Sequence, residues 1–447
     1  DFAEVEQRVL GSANVVPFLT NGTDNEPSVL GFQPVVNSCQ GTAPVQVYSD
    51  DSETILLSNH ATIQGGINAS LLGNVVRVQQ GVFTENISFA GKNGVLLKGA
   101  KSGVSAGVGS NRDKDSIDGE TILNGTITTG SGTSAWPVGL TIDGFRLENT
   151  SFVQAIRVQG DVTITNCIVH HTSTYFLISV AGNVGTEHTL TLSNSNINGQ
   201  RGFSIENARV TSAIIQNNIF NINAANLISA SALDGVVSIS SNQFNGPRGI
   251  NILTNGNSIV GNIFNVTSGA SSRGIDLYEV TGNSISGNIF SSGATSINVL
   301  AGGRAVEILA NTITSNVLLG GITNQVAKSV EANCNWWGQP DGPSLGQNTG
   351  DVITSTWLIS DDVQNPNCAG GQPVRVFSDF DETLLVGGYS TIQAGVIAAA
   401  AGNVVRVDAG TYVENVLVNK AILIRGANFG INPNTGTRVA ESILSGT

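Results

Sequence analysis

Short runs alternating β-branched and polar residues, each broken at Gly or Asn, fill the middle of the chain. "NSIVGNIF" (Asn257–Phe264) returns as "NSISGNIF" (Asn283–Phe290) after 26 residues. Aligned on the pattern I-x-x-N-x-F, the text gives Ile215/Asn218/Phe220, Ile239/Asn242/Phe244, Ile259/Asn262/Phe264 and Ile285/Asn288/Phe290. The same spacing continues through Ile308/Asn311/Ile313 to Val330/Asn333/Asn335, and backwards, degraded, through Leu192/Ser195/Ile197, Ile164/Cys167/Val169 and Ile142/Phe145/Leu147. Steps between coils run from 20 to 28 residues. A period of that length built on strand-like alternation marks a solenoid. Helical repeats would need apolar residues three and four apart, and leucine-rich repeats several fixed Leu per unit; neither is present.

The fold class this predicts is all-β: a right-handed parallel β-helix with short amphipathic capping helices. Each coil lays its strands on the coil below at a spacing of ~4.8 Å, so equivalent residues stack in columns. Ile and Phe columns fill the interior. Asn218, Asn242, Asn262, Asn288, Asn311 and Asn333 form an amide ladder, each side chain bonding the next and the backbone of its turn. Cys167 falls in that column and is expected to be a buried, reduced thiol.

A longer repeat overlies the short one. Cys39–Phe89 matches Cys368–Val418 at 24 of 51 positions with no gap. The match continues through "GVLLKGA" (94–100) and "AILIRGA" (421–427), then "ETILNGT" (120–126) and "ESILSGT" (441–447). Residues 39–345 are thus one β-helix module, 346–367 an exit segment, and 368–447 the first coils of another module. Residues 1–38 take the place of an exit segment and are expected to be the tail of a preceding module. Each opening carries one helical pattern, Ile63/Ile67/Leu71 within 61–72 and Ile392/Val396/Ala400 within 390–401. Such a helix can cap the stack and hide strand edges that would template aggregation.

Composition narrows the function. A net charge of −13 and a pI near 4.7 exclude a nucleic-acid surface, which needs a basic stripe. Only 12% of residues are charged, whereas Gly (54) and Asn (47) are abundant, and both tolerate the positive φ of tight turns. No apolar run reaches the ~18 residues of a membrane span. The four Cys permit one or two bridges. Cys334, at the end of the last coil, and Cys368, at the start of the next module, are expected to pair across the exit segment. Cys39 then has its partner in a preceding module.

"TIQAGVIAAAAGNVVRVDAGTYVENVLVNKAILIRGAN" (391–428) resembles the first coils of the pectate-lyase-like right-handed β-helix superfamily, and "NCNWWGQPDGP" (333–343) is similar to a closing motif found there. Repeated in tandem, the combination resembles giant repetitive surface adhesins of gliding and biofilm-forming bacteria. The resemblance implies the fold and an extracellular, cell-surface setting. It does not carry chemistry with it, because one fold hosts many functions.

Several residue groups have two readings each. Trp336 and Trp337 could be a sugar-stacking platform or a hydrophobic plug on the last coil. Arg201, Arg248 and Arg273 open "RGFSI", "RGINI" and "RGIDL". They are expected to share one outer column as structural corner residues, with Arg248 and Arg273 also candidate glycan contacts; the resemblance to β-helix polysaccharide lyases implies an exposed Arg as base, but the only acid in these motifs is Asp276. Asp50/Glu53 and Asp379/Glu382 are weak calcium candidates or solvated turns. "SDFDET" also resembles a phosphotransferase D-x-D-x-T motif, but the sister copy has Ser52 where Asp381 stands. His170 and His171 follow a strand end, one expected outside and one packed. No catalytic set and no cofactor beyond a weak calcium site is assigned. The expected role is a structural or adhesive repeat of an extracellular filament or stalk, its partners being neighbouring modules and surface glycans. The alternative is a polysaccharide lyase or hydrolase on the same rod.

Overall fold

The computed structural model describes residues 43–446 except 114, 130–137, 150–153, 182–187, 207–209, 224–227, 231–235, 268–271, 279, 292–294, 301–311, 315, 328, 340–341, 345, 364–367, 369–370 and 383–384. The tail 1–38, Cys39 and Asn311 therefore lie outside the described residues. The described chain is nearly all β, with parallel strands stacked into a solenoid of about nine turns. At the usual strand separation that is roughly 40 Å of stack.

A typical turn contributes Ser258–Val260 to a first column of strands, Ile263–Val266 to a second and Arg273–Tyr278 to a third. Register is kept residue for residue. Ile239, Ile259, Ile285 and Ile313 align in the first column, and Phe220, Phe244, Phe264, Phe290 and Leu318 in the second. Ile250, Ile275, Ile297 and Ile322 align in the third. All these side chains are buried, and each fully buried one stabilises by about 1.5–3 kcal/mol. The Phe rings lie face to face, with centroids 5.0, 4.9 and 4.6 Å apart. Isolated rings prefer offset or edge-on packing; here the strand register imposes the stack.

The "GN" of each motif is the corner between first and second columns. Gly144, Asn166, Asn194, Asn217, Ser241, Gly261 and Gly287 all have φ between 51° and 75°. That left-handed region suits Gly and Asn, which explains their abundance. The next residue belongs to the ladder. Asn262 Nδ2 donates to Asn288 Oδ1 and to the Ile239 carbonyl, both at 2.9 Å, while its Oδ1 accepts the Asn242 backbone N–H at 2.9 Å. Asn218, Asn242, Asn262 and Asn288 stand where the spacing predicts. Above them the column passes to Asn316 and Asn335, not to Asn311 and Asn333. "ILANTI" and "ITSNVL" both read as the motif, and strand pairing chooses the second by setting Ile313 opposite Ile285. Asn333 is half-buried and accepts the Ser355 N–H at 2.8 Å instead. Below Asn218, Ser195 takes the position, then Cys167, free and buried, with its thiol 3.1 Å from the Thr165 carbonyl and 3.7 Å from that of Ile142.

The first turn is sealed by two devices. Val45–Tyr48 runs antiparallel to the edge strand Val75–Val78 and pairs on its other side with Leu56–His60. Helix α1 (Ile63–Ala69) lies over the interior, burying Ile63 and Ile67. A Cβ on Gly66 would stand 2.7 Å from Val45 Cγ1, so only Gly lets the helix approach this closely. Thr62 caps Gly65 N–H, and the Glu85 carboxylate accepts the N–H groups of Ile63 (2.8 Å) and Gln64 (3.0 Å). The third expected apolar position, Leu71, is exposed, because the chain leaves the helix in an extended conformation at Ser70.

The second opening repeats this architecture: Val374–Phe377 is antiparallel to both Leu385–Tyr389 and Val404–Val407. Helix α2 (Ile392–Ala398) buries Ile392 and Val396; Ala399 rather than Ala400 packs beneath it. Glu414 accepts the N–H groups of Ile392 and Gln393, as Glu85 does in the first copy. Cys334 and Cys368 form a disulfide, with Cα atoms 5.0 Å apart.

Candidate functional site

The third column carries a buried polar cluster next to the Arg residues the sequence singles out. Strands Arg248–Ile252 and Arg273–Tyr278 pair in parallel with Arg248 opposite Arg273. The Gly after each Arg has a structural reason. A Cβ on Gly249 would come 2.8 Å from the Phe264 ring, and one on Gly274 would come 2.3 Å from the Phe290 ring. Two residues on, Asn251, Asp276 and Asn298 align in register. Asp276 is only 2% exposed; it accepts Asn298 Nδ2 at 2.7 Å and lies 3.5 Å from Arg273 Nη1. Gln325 Nε2 extends the chain of amides by donating to Asn298 Oδ1 at 2.9 Å. Burial pushes the Tyr278 phenol above its ordinary pKa, and the Asp276 charge adds to the shift against the opposing pull of Arg248 and Arg273. One guanidinium, that of Arg273, thus lies beside the buried carboxylate, with Arg248 in register on the neighbouring coil; half-buried guanidinium groups are able to hydrogen-bond a hydroxyl-rich or anionic ligand. Arg201 stands apart, exposed and 5.6 Å from the Phe176 ring centroid, with strand Ile228–Ala230 between its strand and that of Arg248.

The tryptophans split. Trp337 is 2% exposed and continues the Phe column above Leu318, because it stands two residues after ladder residue Asn335. A ring pointing inward cannot stack on a sugar, so for Trp337 the plug is the reading that holds. Trp336 is half-buried and packs in a small cluster with Val317, Leu358 and Val363.

The acidic loops anchor rather than cradle. The Asp50 carboxylate accepts from the Ser52 hydroxyl and N–H, and these bonds hold its pKa down. Glu53 pairs with Lys98 Nζ at 3.1 Å and Arg77 Nε at 3.9 Å. Burial depresses the Lys98 pKa, but its bonds to Asp51 and Glu53 outweigh this and the net shift is upward. In the second copy Glu382 pairs with Arg425 at 2.8 Å and Arg406 at 3.8 Å. The Asp379 carbonyl accepts the Glu382 N–H. The cations bonded to Glu53 and Glu382 already supply the positive charge that calcium would bring. Among the described residues, no group of three or more His, Cys, Asp or Glu converges on one point. His170 is exposed with Nδ1 2.9 Å from Glu148, and the His171 side chain lies outside the described residues.

No protein-family model matches the chain, and no curated protein is found similar to it. Among the described residues no helix is long and apolar enough to cross a membrane.

Two further ladders escape the motif I-x-x-N-x-F. Asn257 donates to Asn283 Oδ1 at 2.8 Å inside the stack. On the outside, Asn221, Asn245 and Asn265 each donate to the residue below, beginning at Asn198. Both had a signal in the text: "NSI" opens the two quoted repeats, and an Asn follows Phe220, Phe244 and Phe264.

Proposed function

We propose that the protein is a structural and adhesive module of an extracellular bacterial surface filament or stalk. In this reading it is a tandem-repeat adhesin built on pectate-lyase-like β-helices, whose partners are neighbouring modules and surface glycans. The observation that carries the reading is the restart. A second capped opening follows the first stack and is bonded to its closing coil through Cys334–Cys368. Catalysis needs one groove and gains nothing from beginning the fold again; a stiff, repeated, nearest-neighbour-stabilised stack provides length. The outward face supports a glycan role by offering Arg248, Arg273 and a ladder of amides at the strand repeat.

The test is incubation with acidic and neutral polysaccharides in the presence of calcium, alongside retention on glycan-coated surfaces. The expected outcome is no new chain ends, with retention reduced severalfold by Arg248→Ala plus Arg273→Ala. Cleavage that disappears when Arg248, Arg273 and Asp276 are all replaced by Ala would instead make the protein a carbohydrate-active enzyme.

A further inference from the structure

The outward side of the first strand column differs from the other two. The residues alternating with its buried aliphatic positions align from coil to coil in two lines. One line is Thr163, Thr191, Ile214, Ser238, Ser258 and Ser284. The other, two residues further along each strand, is Thr165, Ser193, Gln216, Ser240, Val260 and Ser286. Together they make a grid of about 4.8 Å by 6.6 Å, the coil spacing and twice the strand rise. No position in it is charged. Arg146 and Glu148, by contrast, lie in the second column, and Arg248 and Arg273 in the third. Ser193 is buried and bonded to Thr165 at 2.9 Å; the other grid residues are half-buried or exposed. Among the described residues, nothing hydrogen-bonds the hydroxyls of Ser238, Ser240, Ser258, Ser284 and Ser286. The outer amides of the second column and the Asp276 cluster of the third instead bond one another.

We propose that this face binds an extended, uncharged polysaccharide laid along the solenoid axis. Its sugar hydroxyls meet the Ser and Thr rows, which both donate and accept, and its C–H faces meet Ile214 and Val260, 39% and 37% exposed. An uncharged face is covered without stripping water from an ion. An acidic chain finds no cation here, in a protein of net charge −13. A protein partner or a second copy would need an apolar centre, which two separated aliphatic side chains do not provide. The proposal rests on the adhesive reading in taking a glycan as the partner. It adds a face distinct from that of Arg248 and Arg273, and fixes the class of glycan that face takes.

The test is electrophoresis of the whole chain through gels holding hydroxyethylcellulose, glucomannan, arabinoxylan or polygalacturonate. Retardation is expected in at least one of the three neutral gels, and should persist at high salt. Ser238→Ala, Ser240→Ala, Ser284→Ala and Ser286→Ala together should weaken it by on the order of tenfold. The melting temperature should not move, because these hydroxyls bond nothing within the described protein. A second variant, Ser258→Lys, stands a long charged side chain in the middle of the grid and should weaken retardation as much. Retardation in no neutral gel, or neutral retardation that both variants keep, overturns the proposal. So does neutral retardation that the Ser variants keep and Arg248→Ala plus Arg273→Ala abolishes, which would place the glycan on the third column. Cleavage of a polysaccharide would end the adhesive reading without bearing on which face holds the chain.

Discussion

Each corner of the solenoid divides its work between two residues. The left-handed residue turns the chain, and the one after it satisfies backbone groups that the turn would leave unpaired inside the stack. For Asn262 these are the Asn242 N–H and the Ile239 carbonyl. Asn262→Leu keeps the approximate volume but orphans both, and should cost about 1–3 kcal/mol for each group left without a partner. Asn316→Leu should cost as much, because Asn316 fills the same role, while Asn333→Leu should cost less at its half-exposed position. Urea midpoints for the three variants check this ranking, and a larger loss at Asn333 than at Asn316 would contradict the assigned register. The residue scale also marks where sequence reading stops. Asn218 to Asn288 were legible because an apolar residue, an Asn and a Phe repeat without competitors. Around residues 308–318 two overlapping copies of the spacing occur, and only pairing of Ile313 with Ile285 separates them.

At the scale of elements, the openings show how a solenoid begins. A seven-residue helix is too short to be stable alone, so α1 and α2 depend on what they touch. Each has its interior face on a Val cluster, and each has two of its first N–H groups bonded to a Glu carboxylate more than twenty residues away, Glu85 or Glu414. Both helices were visible in the four-residue apolar spacing, but the carboxylate caps were not, since nothing in the text links residue 85 to residue 63. Glu85→Ala should destabilise the first opening by about 1–2 kcal/mol, through loss of charge-assisted bonds to two N–H groups. Gly66→Ala should cost about 1–3 kcal/mol by overpacking against Val45 and Val76. Hydrogen exchange at residues 63–69 reads both effects locally. Unchanged protection in Glu85→Ala would show that packing alone holds the helix.

The whole-molecule features that sequence made legible are those that repeat: the parallel stack, the second opening and the bridge between Cys334 and Cys368. The buried polar cluster around Asp276 was not legible, because it joins residues from separate coils, Asn298 and Gln325 among them, that share no motif. The ion pairs of Glu53 and Glu382 were missed for the same reason. If the function is mechanical, the stack must resist extension as a unit. The most direct test is single-molecule pulling between the chain ends, in oxidising and then reducing buffer. The expected result is a distinct force peak for the solenoid. Reduction should then lengthen the fully unfolded contour by roughly 120 Å, the reach of the 34-residue separation held by the disulfide. Smooth extension with no peak, or a contour unchanged by reduction, would contradict a stiff module tied to its neighbour.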